Sequence, residues 1–271
     1  MSLSIAVHQL SFEEGKRGNL YKIISHLENS TQYLNIFPEY CMGVPLTGLT
    51  KNFVQENAES IDGEFVSKIV SKSRERGNAV IFTTYLREGS EVYNAAILAE
   101  KGHVKAIYKK IHLFDAFGYK ESEIFSPGED IVVVGLGDFI LGLAICFDLR
   151  FPEIFRAMAY KGANMFIVPS GWYRGQYKVE QWKALTTSRA HENVSFLIAV
   201  DQTSPFFIGH SIMVSPYGVI VKQLGEEESC VSLQVDLRDV VDARKVIPSI
   251  ALSKPKLYMK FYNSLVDKFE V

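Results

Sequence analysis

The stretch "LGLAICFDLRFPE", Leu141 to Glu153, places the tightest constraint on the fold. Its first residues are small and apolar, which predicts a buried β-strand, and charged residues follow Cys146. Pro152 suits the first position of a helix, so the sequence predicts a strand, a sharp turn at Cys146 and then a helix. A strand-to-helix turn presents its side chain at the carboxyl edge of a sheet, the usual position of a site in α/β proteins.

The composition of the 271 residues is that of a soluble globular protein. Hydrophobic residues make up 47% and charged residues 22%, and the formal net charge is −2. This charge argues against a nucleic-acid partner, and no apolar run reaches the ~18 residues of a membrane helix. The three cysteines form no CxxC pair and no disulfide framework, and the first residues predict a strand rather than a leader. We therefore expect a cytoplasmic protein with no nucleic-acid or membrane partner.

Short apolar runs alternate with amphipathic segments along the whole chain. This order predicts a single α/β domain over residues 1–271, with helices covering the sheet faces and 252–271 as a C-terminal tail. The predicted helices are 19–28, 63–76, one that begins near Pro152, and 179–193. A hairpin is expected at Lys101-Gly102, and the chain from Val240 onward is expected to be less regular.

A thiol at the end of a strand needs a base before it can act as a nucleophile, because its ordinary pKa is roughly 8.5. None of the six histidines has a neighbouring acid that marks it as that base. Glu39 follows a buried strand that ends at Pro38, so its carboxylate emerges at a strand edge. That carboxylate is either solvated or half-buried with a raised pKa suited to proton transfer.

Two adjacent lysines, Lys109 and Lys110, end a predicted strand just before a long irregular segment, residues 111–130. Strand alternation sends their side chains to opposite faces, so one of them is expected to point into a site. A desolvated ammonium there would stabilise a tetrahedral oxyanion. Long irregular segments inside compact domains are usually functional.

Six stretches together resemble one family. They are "FPEY" (37–40), "YKKIHLF" (108–114), "ESEIFSPG" (121–128), "AICFDLRFPE" (144–153), "SRAHEN" (188–193) and "GHSIMVSPYG" (209–218). Their identity and order resemble the nitrilase superfamily of carbon–nitrogen hydrolases, in particular its amidase branch. The resemblance implies a four-layer αββα sandwich, assembly into homodimers or larger homo-oligomers, and no metal or organic cofactor.

The resemblance also implies the catalytic residues. The Glu-Lys-Cys triad of the family falls on Glu39 as base, Lys110 as oxyanion stabiliser and Cys146 as nucleophile, the pattern Lys-x-His selecting Lys110 over Lys109. A second family glutamate falls on Glu121 rather than Glu123. The implied reaction is hydrolysis of a small amide to a carboxylic acid and ammonia through a cysteine thioester.

The residues after Cys146 resemble those of the branch that acts on small carboxyl-bearing amides. The candidate substrate-binding residues are Tyr40, Phe114, Phe147, Arg150 and Trp172, with Tyr173 as a further aromatic wall. Arg150 could receive a substrate carboxylate or form a structural pair with Asp148 or Glu153. A nitrilase, an N-carbamoyl amidohydrolase, an acyltransferase and a non-catalytic binding protein remain as alternatives.

Overall fold

A computed structural model describes residues 2–203 and 205–266. Within these residues, twelve strands form two six-stranded sheets. The strands are β1 (Ser2–Gln9), β2 (Leu34–Ile36), β3 (Ala79–Glu88), β4 (Glu91–Glu100), β5 (His103–Lys109), β6 (Val133–Leu136), β7 (Phe139–Leu143), β8 (Met165–Ser170), β9 (Phe196–Asp201), β10 (Ile212–Val214), β11 (Ile220–Gln223) and β12 (Ser229–Asp236). The helices are α1 (Lys16–Asn29), α2 (Lys51–Asn57), α3 (Glu64–Arg76), α4 (Pro152–Tyr160), α5 (Lys178–Asn193), α6 (Leu237–Val246), α7 (Ser249–Leu252) and α8 (Pro255–Asn263).

The two sheets share one design. The first has the order β12-β1-β2-β3-β4-β5 and the second β11-β10-β9-β8-β7-β6. In each sheet three central strands are parallel, β1, β2 and β3 in the first and β7, β8 and β9 in the second. Parallel strands end at a common edge, so the segments that follow β2, β7 and β8 can meet there.

The core lies in and around these sheets. Apolar side chains such as Ile5 and Ile81 of the first sheet belong to the same buried cluster as Leu143 and Ile167 of the second. Helices α1 and α3 pack beside each other and bury residues such as Ile23 in a second cluster with outward-facing residues of the first sheet. Helices α4 and α5 cover the second sheet. The expected αββα sandwich is confirmed.

Local sequence signals account for several boundaries. Helix α3 ends at Gly77, which adopts φ 64° in the left-handed region. The β4–β5 hairpin turns at Lys101-Gly102, both with positive φ, as expected. Helix α4 begins at Pro152 as predicted. Helix α1 begins three residues before the predicted position, and α2, capped by the Thr50 side chain, was not predicted.

The strand that leads to the thiol is shorter than predicted. Strand β7 ends at Leu143, and two fully buried residues, Ala144 and Ile145, connect it to Cys146. Cys146 opens a 3₁₀ turn that runs to Arg150. The apolar pattern continues through these linking residues because they are buried, so periodicity could not show that strand pairing had already ended.

The prediction of a less regular chain from Val240 onward was wrong, because α6, α7 and α8 occupy most of it. The Asp236 side chain caps α6 by accepting a hydrogen bond from the Arg238 backbone N–H, and Arg244 donates to the carbonyl of Ala163 at 2.7 Å. Only Val240 and Ala243 of α6 are buried, so this helix contributes little to the core and polar contacts with distant residues help to hold it.

Helix α8 carries several exposed apolar side chains, including Met259, Phe261 and Tyr262. No helix of the described residues is long and apolar enough to cross a membrane. The expected homo-oligomer stays a prediction, and the last residues of the predicted tail, 267–271, lie outside the described part of the chain.

Gly128, in the loop motif "ESEIFSPG", lies against the end of β5. Its N–H donates to the Lys110 carbonyl at 2.8 Å, and a Cβ added to it would lie 2.2 Å from the Lys109 carbonyl oxygen. We expect Gly128→Ala to displace the backbone at Lys110 and to lower both the melting temperature and the turnover of an amide. Thermal unfolding and ammonia release measure this. Gly135→Ala, whose added Cβ meets nothing within 4 Å, is the control, and an equal effect of the two would contradict the argument.

Candidate active site

Cys146 occupies a strained turn at the end of the second sheet's parallel strands. Its φ of 45° is uncommon for a residue other than glycine. Its side chain is only 7% exposed. Backbone strain of this kind persists where the surrounding structure enforces it, and it clusters at functional sites.

Asp148 holds the turn in place. One carboxylate oxygen accepts from the backbone N–H of Ile145 at 2.9 Å and from the Tyr108 hydroxyl at 2.6 Å. The other lies 2.8 Å from Nδ1 of His112, whose ring stacks on Phe151 at 3.6 Å. Asp148 therefore ties the end of β5 to the cysteine turn and is not available to pair with Arg150. Sequence reasoning missed this role for Asp148, Tyr108 and His112.

Glu39 follows β2 and is fully buried rather than solvated. Its Oε1 accepts from Lys110 Nζ at 2.9 Å and from Asn94 Nδ2 at 2.7 Å. Its Oε2 accepts from the Gly171 backbone N–H at 2.7 Å, just beyond the end of β8. The carboxylate thus connects the first sheet to the second at the edge where Cys146 lies.

Lys110 lies between two carboxylates. Its Nζ is 2.9 Å from Glu39 Oε1 and 2.8 Å from Glu121 Oε2, and its side chain is 1% exposed. The expected alternation holds, because the neighbouring Lys109 points outward to Glu88 at 2.6 Å and lies over the Tyr93 ring.

The two loop glutamates lie in different environments. Glu121 is buried and accepts from the Phe114 backbone N–H at 2.7 Å, whereas Glu123 is exposed and pairs with Lys120. Asn94 joins the two buried acids, because its Nδ2 donates to Glu39 at 2.7 Å and to Glu121 at 3.0 Å. Sequence reasoning missed Asn94, and only its polarity within the apolar run of β4 could have marked it.

Burial and neighbouring charges set the protonation of this group. Burial raises the pKa of Glu39, Lys110 lowers it and Glu121 raises it, with a net upward shift. Burial alone lowers the pKa of Lys110, but Glu121 and Glu39 raise it, so the ammonium stays charged. Burial and the Glu39 charge raise the pKa of Cys146 well above its usual value, against the influence of Lys110. Cys146 is therefore a thiol at rest, near a carboxylate of raised basicity.

A narrow cleft opens onto Cys146. All of the candidate substrate-binding residues line it: Tyr40, Phe114, Phe147, Arg150, Trp172 and Tyr173. A wider cavity adjoins it and shares Tyr40, Phe114 and Tyr173. The irregular segment contributes Tyr119 to this wall, stacked on Tyr173 with ring centroids 4.6 Å apart.

Two cations line the same cleft. The Arg150 guanidinium donates to Gln181 at 2.8 Å and lies 5.0 Å from the Trp172 ring centroid, while its buried Nε has no hydrogen-bond partner. Lys178 lies over the Phe117 ring at 3.8 Å. Burial and the Arg150 charge lower the pKa of Lys178. Among the described residues neither cation forms an ion pair with a carboxylate, and sequence reasoning missed Lys178.

Residues 4–245 match the family model described as carbon-nitrogen hydrolase. Omega-amidase NIT2 of Homo sapiens is 29% identical over 272 residues, which cover 95% of this chain and 97% of the relative. Hydrolase Rv0480c of Mycobacterium tuberculosis is 32% identical over 232 residues, covering 78% and 80% of the two chains. Deaminated glutathione amidase of Escherichia coli O157:H7 is 28% identical over 195 residues, covering 71% and 74%.

Solved structures agree in fold. The amidase of Nesterenkonia sp. AN1 superposes with a TM-score of 0.80 at 26% identity, over 96% of this chain and 99% of that one. The protein XC1258 of Xanthomonas campestris, a CN-hydrolase superfamily protein, gives a TM-score of 0.85 at 23% identity over 94% and 98%. The chain belongs to the carbon-nitrogen hydrolase family, within the nitrilase superfamily, and is an enzyme of that class.

The two adjacent lysines offer a matched pair of variants. Lys110→Met would leave two buried carboxylates without their cation, so we expect kcat/KM for an amide to fall by a factor equivalent to about 3 kcal/mol or more. Lys109→Met removes only a surface pair worth roughly 0–1 kcal/mol and should be mild. Steady-state ammonia release measures both, with circular dichroism as a check of folding. Equal losses from the two variants would contradict the assignment.

Proposed function

We propose that this enzyme hydrolyses a small amide to a carboxylic acid and ammonia, with Cys146 as the nucleophile. The observation that carries the proposal is the buried Lys110 ammonium, held between the carboxylates of Glu39 and Glu121 in the cleft that contains the thiol. In a glutamate-to-glutamine mutant of the Nesterenkonia amidase, the acetamide moiety of fluoroacetamide is covalently added at the active-site cysteine. That adduct supports a nucleophilic cysteine in this chain.

In the first half of the reaction, the Cys146 sulfur attacks the amide carbon as its proton passes to Glu39. The amide oxygen becomes an oxyanion, stabilised by the Lys110 ammonium. Cys146 and Phe147 are the first residues of a 3₁₀ turn, so their backbone N–H groups have no acceptor within that turn. These two N–H groups are further candidate donors to the oxyanion. Glu39 then gives its proton to the departing nitrogen, the C–N bond breaks, and ammonia leaves behind a thioester.

In the second half, water replaces ammonia. The water oxygen attacks the thioester carbonyl while Glu39 accepts a proton from that water. The C–S bond then breaks. The sulfur recovers the proton from Glu39, so the acid is released and the thiol is restored. Glu121 positions Lys110 throughout, because its carboxylate is a second ion-pair partner of the ammonium beside Glu39.

The cleft favours an amide that carries a carboxylate at its far end. Arg150 and Lys178 are cations in a largely apolar wall and have no carboxylate partner among the described residues. A desolvated charge without a counterion is unfavourable, and a substrate carboxylate would supply the missing partner. The relatives named omega-amidase and deaminated glutathione amidase support a small amide of this kind.

Replacement of the nucleophile tests the chemistry. Cys146→Ala should abolish turnover, because no other group can form the thioester, while the variant should keep its fold. Intact-protein mass spectrometry of the parent enzyme, quenched during turnover, should show an added acyl group, and peptide mapping should place it on Cys146. An active Cys146→Ala enzyme, or an adduct on another residue, would contradict the mechanism.

A paired comparison of substrates tests the carboxylate subsite. Esterification of the distal carboxylate should lower kcat/KM by at least ~10-fold, because the two cations then remain unpaired. Arg150→Leu or Lys178→Met should remove most of this difference, mainly through KM. Lys183→Met, an exposed lysine on the same helix as Lys178, is the control. If a nitrile, an N-carbamoyl compound or a neutral amide is the faster substrate, the subsite is wrong while the nucleophile stands.

A further inference from the structure

A cluster of three potential metal ligands lies away from the cleft, on the opposite side of the first sheet from the core between the sheets. Its members are His8 on β1, His26 on α1 and Cys230 on β12. His8 and Cys230 are directly opposed in the antiparallel β1–β12 pair, so their side chains leave the same face of the sheet. Helix α1 brings His26 to that face.

The donor atoms of the three side chains converge. Nδ1 of His8 is 3.2 Å from Nδ1 of His26 and 3.3 Å from Sγ of Cys230, and all three atoms lie within 4.8 Å of one another. Zn–N bonds of about 2.0–2.1 Å and Zn–S bonds of about 2.3 Å place the ligands of a tetrahedral ion roughly 3.3–3.6 Å apart. The two short separations are close to that spacing.

The hydrogen bonds around His8 leave the lone pair of its Nδ1 on the side of His26 and Cys230. Nε2 of His8 lies 3.0 Å from Oδ1 of Asn35, whose Nδ2 in turn donates to the Gln32 carbonyl at 3.2 Å. The second contact fixes which end of the Asn35 amide is the oxygen, so Nε2 of His8 carries the hydrogen and Nδ1 does not. A hydrogen bond from the remote ring nitrogen is the usual support of a metal-binding histidine. Stacking on Phe37, with centroids 4.4 Å apart, holds the ring.

We propose that His8, His26 and Cys230 form a zinc site that joins the first strand, the first helix and the last strand of the fold. One thiolate and two imidazoles suit Zn²⁺, whereas Mg²⁺ and Ca²⁺ require oxygen ligands. On binding, Cys230 releases its thiol proton to solvent and forms the Zn–S bond. His26 moves its hydrogen to Nε2, and water completes the coordination. The ion would connect residues 222 positions apart in sequence.

The test uses the Cys146→Ala enzyme, so that the active-site thiol cannot bind the metal. Titration calorimetry with ZnCl₂ should show one equivalent bound, and Zn²⁺ should raise the melting temperature. Cys146→Ala/Cys230→Ser and Cys146→Ala/His26→Ala should bind at least roughly 10-fold more weakly, the lower end of what loss of a supporting residue costs. Cys146→Ala/His103→Ala, which lacks the exposed hairpin histidine instead, should bind like its parent.

The absorption spectrum of bound Co²⁺ is a second, independent measurement of the same site. Co²⁺ bound to the Cys146→Ala enzyme should show a thiolate-to-metal charge-transfer band, which Cys230→Ser should remove. Cys230 is exposed on an edge strand and serine matches its shape, so this variant decides the matter if His26→Ala fails to fold. Absence of Zn²⁺ binding by Cys146→Ala, or unchanged binding and an unchanged cobalt band after Cys230→Ser, would overturn the proposal.

Discussion

The contact on which the site depends is the buried ion cluster of Lys110 with Glu39 and Glu121. Removing three charges from water is costly, and their mutual attraction offsets that cost only where the remaining hydrogen-bonding positions are also filled. Asn94, the Gly171 amide and the Phe114 amide fill them. Each of these groups comes from a different segment, so the cluster can form only when both sheets and the irregular loop are in place.

The sheet design explains why these segments meet. Glu39 follows β2 of the first sheet, while Cys146 and Gly171 follow β7 and β8 of the second, all parallel strands whose carboxyl ends lie at common edges. The Glu39 carboxylate connects the two sheets, because it accepts a hydrogen bond from the backbone N–H of Gly171. Gly171 has to lack a side chain, because a Cβ there would lie 2.9 Å from the Tyr40 ring. The packing of the two sheets against each other therefore also positions the Glu39 carboxylate.

Local patterns were sufficient for the β4–β5 hairpin and the start of α4, because each depends on neighbouring residues. Strand alternation placed one of two lysines inside, but only the family resemblance selected Lys110. Asn94 and Asp148 could not be predicted, because their partners lie 55 and 40 residues away respectively. For the last helices, distant contacts also matter, since Arg244 of α6 donates to the carbonyl groups of Val194 and Ala163.

The distribution of charge also bears on how a substrate would lie. Glu39 and Glu121 both contact the buried Lys110 ammonium, while Arg150 and Lys178 line the cleft that contains Cys146 and form no ion pair with a carboxylate among the described residues. Under the proposed function, a substrate carboxylate is attracted to Arg150 and Lys178, and low local polarity strengthens this attraction. Under that proposal, the acid end of the substrate pairs with the two cations, and the neutral amide end is the one left for Cys146.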